Sequence, residues 1–167
     1  MYSSELLSLL HNALSPQLVV GIFSRDSLIE QALPLLDSRP PPFLVVVNHD
    51  IASGAGTHWS AFAFASQNVV YFIDSLANPV ENTPEFDIFL KLASSAYCGE
   101  EEELALVELP YPLQGDSTCC GLYVCVIAFL LLVHKYKLSR ILRLFSSSSL
   151  EFNDHVVHKL ACQFVQR

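Results

Sequence analysis

Apolar residues recur at helical spacing at the start of the chain. Leu6, Leu7, Leu10 and Leu14 fall on one face of a helix. Proline lacks the backbone N–H and clashes with the preceding turn, so we expect this helix to end before Pro16. The chain therefore begins with an amphipathic helix whose leucine face needs a core to pack against.

Runs of β-branched and aromatic residues predict five strands. The predicted strands are residues 18–23, 43–49, 58–65, 68–75 and 104–110. The second run is apolar throughout, which is typical of an internal strand. The third and fourth runs are joined by a very short turn near Ser66 and Gln67, so we expect them to form a hairpin.

Capping residues predict the remaining helices. Ser27 with Glu30 predicts a helix that runs to about Leu36. Thr83 before Pro84 predicts a helix that runs through about Ser94. Ser148 with Glu151 predicts a last helix, whose apolar side carries Val156, Val157, Leu160 and Phe164. Asp116, Ser117 and Thr118 offer N-caps for a buried helix from Cys119 to about Tyr136. Its apolar run is shorter than the roughly 20 residues of a membrane span, so we expect no membrane partner.

Composition and cysteine usage indicate a folded domain in a reducing compartment. A chain of 167 residues, 51% of them apolar, predicts one folded domain over residues 1–167. The predicted strands, with helices at both ends of the chain, favour an α+β domain with a mixed, mainly antiparallel sheet packed on the central helix. The N-terminal stretch lacks the basic region and cleavage site of a signal peptide. Five cysteines, two of them adjacent, do not indicate a disulfide framework. Their spacing lacks the CxxC pairs of zinc sites, so we expect no metal. We also expect the protein to be a monomer.

Charge is spread unevenly along the chain. The net charge is -8, and the acidic part includes the run of residues 100–103. From His134 onward, the sequence contains six basic residues and only two acidic ones. An acidic body disfavours nucleic acid as a partner, and we interpret the basic residues 135–143 as a solvated helix face. A nucleic-acid contact at that segment is the alternative.

The predicted hairpin brings a histidine and an aspartate together. With the turn centred near Ser66 and Gln67, His58 lies opposite Asp74 on the same face. Their Cβ atoms should then be roughly 4.5–5.5 Å apart. A carboxylate at this place can orient an imidazole and stabilise its protonated form. A cross-strand pair of purely structural value is the alternative.

The start of the central helix offers a nucleophile. The helix dipole and the unpaired N–H groups at a helix N-terminus lower the pKa of a thiol and can hold an oxyanion. We predict Cys120 rather than Cys119 as the nucleophile, because Gly121 beside it lets other groups approach closely. The amide of Gln114 could complete an oxyanion hole, although a loop glutamine bonded to backbone is the plainer interpretation. Cys119 is expected to be a small buried neighbour, and Cys125 and Cys162 to lie in the core.

These motifs resemble a known family of cysteine proteases. The order His58-Trp59, Phe-Ile-Asp-Ser-Leu, Gln114-Gly115 and Cys120-Gly121 resembles the adenain family, the adenovirus-type maturation proteases. The same order occurs in the SUMO-deconjugating proteases of the same clan, a papain-like site in permuted order. THWSAFAF, VVGIFSRD and the Gln-Gly pair favour the viral branch. Asp74 agrees with the deconjugases, since adenain carries Glu there, whereas Cys119 stands where they have Asp.

The resemblance implies a role for each motif residue. It makes Cys120 the nucleophile, His58 the base, Asp74 its orienting carboxylate and Gln114 the oxyanion donor. Trp59 would pack beside the imidazole or serve as a core tryptophan, and with Gly121 would contact the substrate. The sequence itself requires no cofactor. An activating peptide of adenain's kind stays open, although its tethering cysteine has no counterpart in the strand at residues 104–110, and the acidic charge argues against DNA.

The function that the resemblance implies is proteolysis by a viral enzyme. We expect a cysteine endopeptidase that cleaves capsid or core precursors during virion maturation, in the virion and the host nucleus or cytoplasm. Cleavage should follow glycine-containing sites, because the slot between the helix start and bulky Trp59 is too narrow for larger side chains. A deubiquitinase or deSUMOylase acting on ubiquitin-like conjugates would use the same residues. An inactive binding module is the third alternative.

Overall fold

The computed structural model of the protein describes residues 1–36, 39–98, 104–115 and 118–165. The acidic run 100–103 and the predicted N-caps Asp116 and Ser117 lie outside the described residues. Within the described ranges the strands are β1 Val19–Ser24, β2 Phe43–Asn48, β3 Trp59–Ser66, β4 Val69–Ile73 and β5 Ala105–Glu108. The helices are α1 Ser3–Ala13, α2 Pro84–Cys98, α3 Cys120–Ala128, α4 Leu138–Leu142 and α5 Leu150–Val165.

The strands form one mixed sheet in chain order, β1-β2-β3-β4-β5. The central pairs β2–β3 and β3–β4 are antiparallel, while each edge strand pairs in parallel with its neighbour. The expected hairpin is thus the centre of the sheet. The parallel edges follow from the helical segments that precede β2 and β5, since parallel strands need a crossover connection.

Helices cover both faces of the sheet. Leu44 and Val46 of β2 face α1, α3 and α5, whereas Phe43, Val45 and Val47 face α2 and the helical turns of residues 25–35. All six residues of β2 are buried, which explains why its sequence is apolar without alternation. The α+β class and the sheet on a buried central helix are confirmed. The helical layer on the opposite face, formed by α2 and the turns of residues 25–35, was not predicted.

The central helix differs from its predicted bounds. It begins at Cys120 with Cys119 as its N-cap, so Thr118 is not the cap. After Ala128 it continues as a π-helical turn to Val133 rather than as regular helix to Tyr136. Every residue of α3 is buried. Cys120 is therefore the first residue of a helix enclosed by protein.

Other helix starts also moved by a few residues. The region after β1 forms short 3-10 and π turns instead of one helix, and its capping box joins Ser24 to Ser27 rather than Ser27 to Glu30. Pro84 begins α2 as expected, but the helix runs to Cys98. Ser149, not Ser148, accepts the backbone N–H of Phe152 at the start of α5. In the described part of the chain, no helix is both long and apolar enough to cross a membrane.

Candidate active site

His58, Asp74 and Cys120 meet where β3 begins, β4 ends and α3 begins. The Nε2 atom of His58 lies 2.8 Å from Oδ1 of Asp74. On its other side His58 interacts with the Cys120 side chain, which raises the pKa of the imidazole and lowers the pKa of the thiol. The three side chains therefore form one chain of contacts, with the histidine in the middle.

The register of the hairpin corrects the predicted pairing of His58 with Asp74. The turn lies at Gln67 and Asn68, with Ser66 paired to Val69 and an irregularity before it. Ala61 pairs with Ile73, so Ser60 and not His58 lies level with the residue after β4. The histidine is one diagonal step away, on the same face. A long imidazole spans that step, so the predicted contact forms in spite of the shifted register.

The ion pair between His58 and Cys120 is favoured by their surroundings. Burial disfavours the protonated imidazole, but the hydrogen bonds to Asp74 and Cys120 outweigh it and raise the pKa of His58 to about 9. Burial likewise disfavours the thiolate. The hydrogen bond from His58 and the backbone N–H groups of Trp59 and Gly121 nevertheless lower the pKa of Cys120 from its usual 9.0. Both shifts favour a thiolate beside an imidazolium over the neutral pair.

Asp74 is held in one orientation by its own hydrogen bonds. The carboxylate is 1% exposed. It accepts hydrogen bonds from His58 and the backbone N–H of Leu76 at 2.8 Å each, from Ser60 Oγ at 3.1 Å and from Asn78 Nδ2 at 3.3 Å. Burial opposes its negative charge, but these donors keep its pKa below the usual value. It is therefore ionised and cannot turn away from the imidazole.

Gln114 lines the same cavity as Cys120 and is 6% exposed. Its amide oxygen accepts a hydrogen bond from Ser75 Oγ at 2.7 Å, and its backbone N–H donates to the carbonyl of Ser75. The contact with Ser75 fixes the orientation of the amide, whose NH₂ group is its hydrogen-bond donor. The preceding carbonyl, of Leu113, accepts from the buried Tyr123 and Asn153, which anchors this loop to α3 and α5.

Trp59 and Gly121 lie beside the site, but the room at Gly121 is filled by the protein itself. Trp59 is 7% exposed, lines the cavity and donates from Nε1 to the carbonyl of Met1 at 3.2 Å. A Cβ at Gly121 would lie 2.7 Å from the sulfur of Met1 and 3.2 Å from Leu6. The close approach expected at Gly121 is therefore made by the N-terminal segment, and Gly121 does not line the cavity.

The cavity in front of Cys120 measures about 420 Å³. One wall is the loop of residues 51–57, and the other includes residues 1–3. Asn48 Oδ1 accepts from the N–H groups of Asp50 and Thr57, and the Asp50 carboxylate accepts from Gly56. Gly56 has a φ of +83°, which side chains rarely adopt. This loop is thus a rigid wall of small residues.

His49 is a site residue that the sequence did not reveal. Its Nε2 atom lies 2.7 Å from Ser60 Oγ and 3.4 Å from Oδ2 of Asp74, and its ring packs edge-on against Phe86. Burial and the nearby His58 lower the pKa of His49 to about 4, so it stays neutral. The Asp74 carboxylate therefore lies beside two histidines, a protonated His58 and a neutral His49. A single histidine at the end of an apolar strand carried no pattern that could have indicated this.

Among the described residues, His49, His58 and Asp74 have ligand atoms within 4.8 Å of one another and could in principle hold a metal ion. However, the Asp74 oxygens already accept several hydrogen bonds, and Nε2 of His58 is engaged by one of them. A metal would have to replace those contacts. The donors fit a hydrogen-bonded relay better than a coordination sphere.

Cys119 points away from the site. Its Sγ lies 3.0 Å from Nε2 of His158 on α5, and it is 4% exposed. Cys125 is buried as expected, whereas Cys162 is exposed on α5, so the prediction of a core position was wrong for Cys162. Helical geometry explains it, because Cys162 follows the buried Ala161 and falls on the outer face.

Comparison with known proteins shows the fold. No protein-family model and no curated protein sequence matches the chain. The central domain of Lpg1148 from Legionella pneumophila superposes with a TM-score of 0.55 at 14% identity, covering 100% of this chain and 99% of that one.

Two solved effector structures from Chlamydia trachomatis are also similar. Cdu1, solved bound to ubiquitin, matches with a TM-score of 0.53 at 13% identity over 99% of this chain and 80% of that one. ChlaDUB1 matches with a TM-score of 0.52 at 15% identity over 99% and 73%. At these identities the likeness concerns the fold. The adenain branch indicated by the motifs is not among these neighbours.

Proposed function

We propose that the protein is a cysteine protease that cleaves after the C-terminal glycine of ubiquitin or a ubiquitin-like modifier. The observation that carries the proposal is the contact chain from Cys120 through His58 to Asp74, which opens into one cavity with Gln114. A thiol of lowered pKa beside a buried imidazole and carboxylate is the arrangement for nucleophilic acyl transfer.

The first half of the reaction uses the preformed ion pair. The Cys120 thiolate attacks the carbonyl carbon of the glycine, and the carbonyl oxygen becomes negatively charged. The backbone N–H at the start of α3 and the NH₂ of Gln114 donate to that oxygen. The imidazolium of His58 then gives its proton to the leaving amine, which departs and leaves an acyl group on sulfur.

The second half restores the thiolate. His58, now neutral, accepts a proton from a water molecule that attacks the thioester. The tetrahedral intermediate collapses, Cys120 leaves as thiolate and His58 is again protonated. Throughout, Asp74 stabilises the positive imidazole and keeps its ring facing Cys120. A free thiolate needs reducing surroundings, so we propose that the protein works in a reducing compartment.

The shape of the cleft supports a substrate that ends in glycine. The wall of residues 51–57 is small and held by hydrogen bonds, and the opposite wall includes Trp59 and residues 1–3. An extended chain passing between rigid walls is accommodated best where it has no Cβ atoms. Ubiquitin and its relatives end in two glycines, and Cdu1 was solved bound to ubiquitin.

Cleavage of capsid or core precursors, the expectation from the adenain resemblance, finds no support among the structural neighbours. The ubiquitin-bound neighbour favours the alternative. A viral precursor and a ubiquitin-like modifier would both be cleaved after glycine by the same catalytic residues. The two substrate classes therefore differ in the protein surface that they would contact outside the cleft.

Turnover of matched substrates tests the proposal. Ubiquitin and SUMO carrying a C-terminal fluorophore are compared with a short Gly-Gly peptide fluorophore and with ubiquitin whose last glycine is alanine. We expect the wild type to cleave a modifier with a higher kcat/KM than the peptide and to reject the alanine form. Cys120→Ala should be inactive on all of them. Equal cleavage of peptide and modifiers, with cleavage of a precursor polypeptide, would favour a maturation endopeptidase.

A further inference from the structure

The basic residues after the central helix gather around one hollow. The hollow has a volume of about 400 Å³ and is lined by Lys135, Tyr136, Lys137, Ser139, Arg140 and Arg143. The chain turns sharply at Lys135, whose φ is +54°, and then forms α4. The turn and the short helix thus bring four cations to one place. All four side chains are exposed, as expected of a solvated face, and in addition they line the same hollow.

These cations have no acidic partners in the described parts of the chain. None of the ion pairs found there involves them, and no residue lining the hollow carries a carboxylate. The protein has nine Lys and Arg residues and a net charge of -8, yet four of the nine lie within this segment. Like charges that line one hollow repel one another. Physiological salt screens such repulsion only where charges are more than about 8 Å apart. A bound anion would relieve that repulsion.

One of the cations is held in place before any ligand arrives. The guanidinium carbon of Arg140 lies 3.8 Å from the centre of the Tyr136 ring, and the ring of His134 stacks on Tyr136 with centroids 5.2 Å apart. A guanidinium over an aromatic face is attracted by the ring and loses less freedom when it forms hydrogen bonds. Its N–H groups match the oxygens of a phosphate.

We propose that this hollow is a binding site for a compact ligand that carries two or more phosphate groups. Four cations suit several closely spaced negative charges better than a single carboxylate. Without these four cations the remaining residues sum to -12, so an extended polyanion such as duplex DNA would be repelled beyond the hollow. Size and charge therefore favour a small polyphosphate.

The phosphates could belong to a soluble molecule or to a lipid headgroup. A second hollow of about 240 Å³ shares Lys135, Tyr136 and Lys137 with the first, and its other lining residues, mostly apolar, are Pro42, Ala65, Tyr71, Leu131 and Leu132. It offers room for an apolar part of the ligand. The common chemistry is the cluster of phosphates, and the experiment distinguishes its two sources.

Binding is measured by calorimetry with sodium tripolyphosphate and by sedimentation with phosphatidylcholine vesicles with and without phosphatidylinositol bisphosphate. The test variant is Arg140→Gln with Arg143→Gln. The control is Lys91→Gln with Lys159→Gln, which removes the same charge from α2 and α5. Lys135→Gln with Lys137→Gln serves as a second variant that leaves the Tyr136 stack intact. Thermal unfolding checks that each variant is folded.

We expect the wild type and the control to bind tripolyphosphate within about twofold of each other. Each test variant should bind at least about tenfold more weakly, since each lost charge-assisted hydrogen bond contributes about a factor of ten or more. Vesicle binding that tripolyphosphate abolishes would assign the phosphates to a lipid, and binding of tripolyphosphate alone would assign them to a soluble ligand. No binding of either probe, or equal binding by test and control variants, would overturn the proposal. Duplex DNA binding that strengthens with duplex length and is lost in the test variants would also overturn it.

Discussion

Replacing Asp74 by asparagine tests the electrostatics of the site directly. The pKa of His58 is raised from its ordinary 6.5 to about 9, in spite of burial, with the hydrogen bond to Asp74 as the main cause. This raised pKa corresponds to about 3 kcal/mol in favour of the imidazolium. Asparagine keeps the shape but not the charge. In Asp74→Asn burial would then prevail, and the imidazole would be neutral at pH 7.

Loss of the imidazolium removes the main partner of the Cys120 thiolate. The thiol should then titrate near its usual value of 9.0, which leaves about 1% thiolate at pH 7. We expect the alkylation rate of Cys120 at pH 7 to fall by about 100-fold, because only the thiolate reacts with iodoacetamide. The alkylation rate of the variant should rise more steeply between pH 7 and 9 than that of the wild type, because the pKa of Cys120 is lowered only in the wild type.

The assay is alkylation at several pH values, with the Cys120 peptide quantified by mass spectrometry. The exposed Cys162 in the same sample serves as the internal reference for reagent activity. On a cleavable substrate, Asp74→Asn should lower kcat far more than it raises KM, because the oriented imidazolium acts mainly in the transition state. Alkylation of the variant at pH 7 as fast as the wild type would refute the reasoning and reduce Asp74 to a structural role.

Three further outcomes follow from the same contacts. Ser75→Ala removes the hydroxyl that orients the Gln114 amide, so kcat should fall about tenfold or more with little change in KM, and unchanged kcat would contradict the oxyanion role. Gly121→Ala would place a methyl group 2.7 Å from the sulfur of the exposed Met1, which can move aside, so the free energy of unfolding should change by less than about 1 kcal/mol, as measured by urea denaturation. The pKa of His58 is raised and that of Cys120 is lowered in the folded state, so their contributions to the pH dependence of stability oppose each other. In Cys120→Ala the contribution of His58 is no longer offset, so stability should fall more steeply than in the wild type as pH rises from 6.5 to about 9. A profile no steeper than that of the wild type would show that Asp74 alone does not raise the pKa of His58.

The hairpin shows how far the sequence could predict the site. Alternation fixes which face a side chain occupies, so His58 and Asp74 were correctly placed on one face. The register depends on the position of the turn. The turn lies one residue later than predicted, at Gln67 and Asn68, and the residue of β3 that lies level with Asp74 is Ser60, two positions after His58. The predicted contact survived because a shift of two keeps the face.

The residues that the sequence could not provide are those positioned by tertiary structure. His49 reaches Asp74 only because β2 lies beside β3, and no local pattern specifies that neighbour. Likewise, the pairing of Cys119 with His158 requires α5 to pack at the start of α3. Helix starts such as Cys120 moved by one residue, since the cap depends on which backbone N–H groups find partners in the fold.

The measurement that tests the central claim most directly is labelling with ubiquitin that carries a C-terminal alkyne electrophile. Such a probe forms a covalent bond only with a nucleophile that lies where the glycine carbonyl would be. We expect one ubiquitin adduct by intact mass, located on Cys120 by peptide mapping, present in Cys119→Ala and absent in Cys120→Ala. No adduct on a folded protein, or an adduct on Cys119 that spares Cys120, would contradict it.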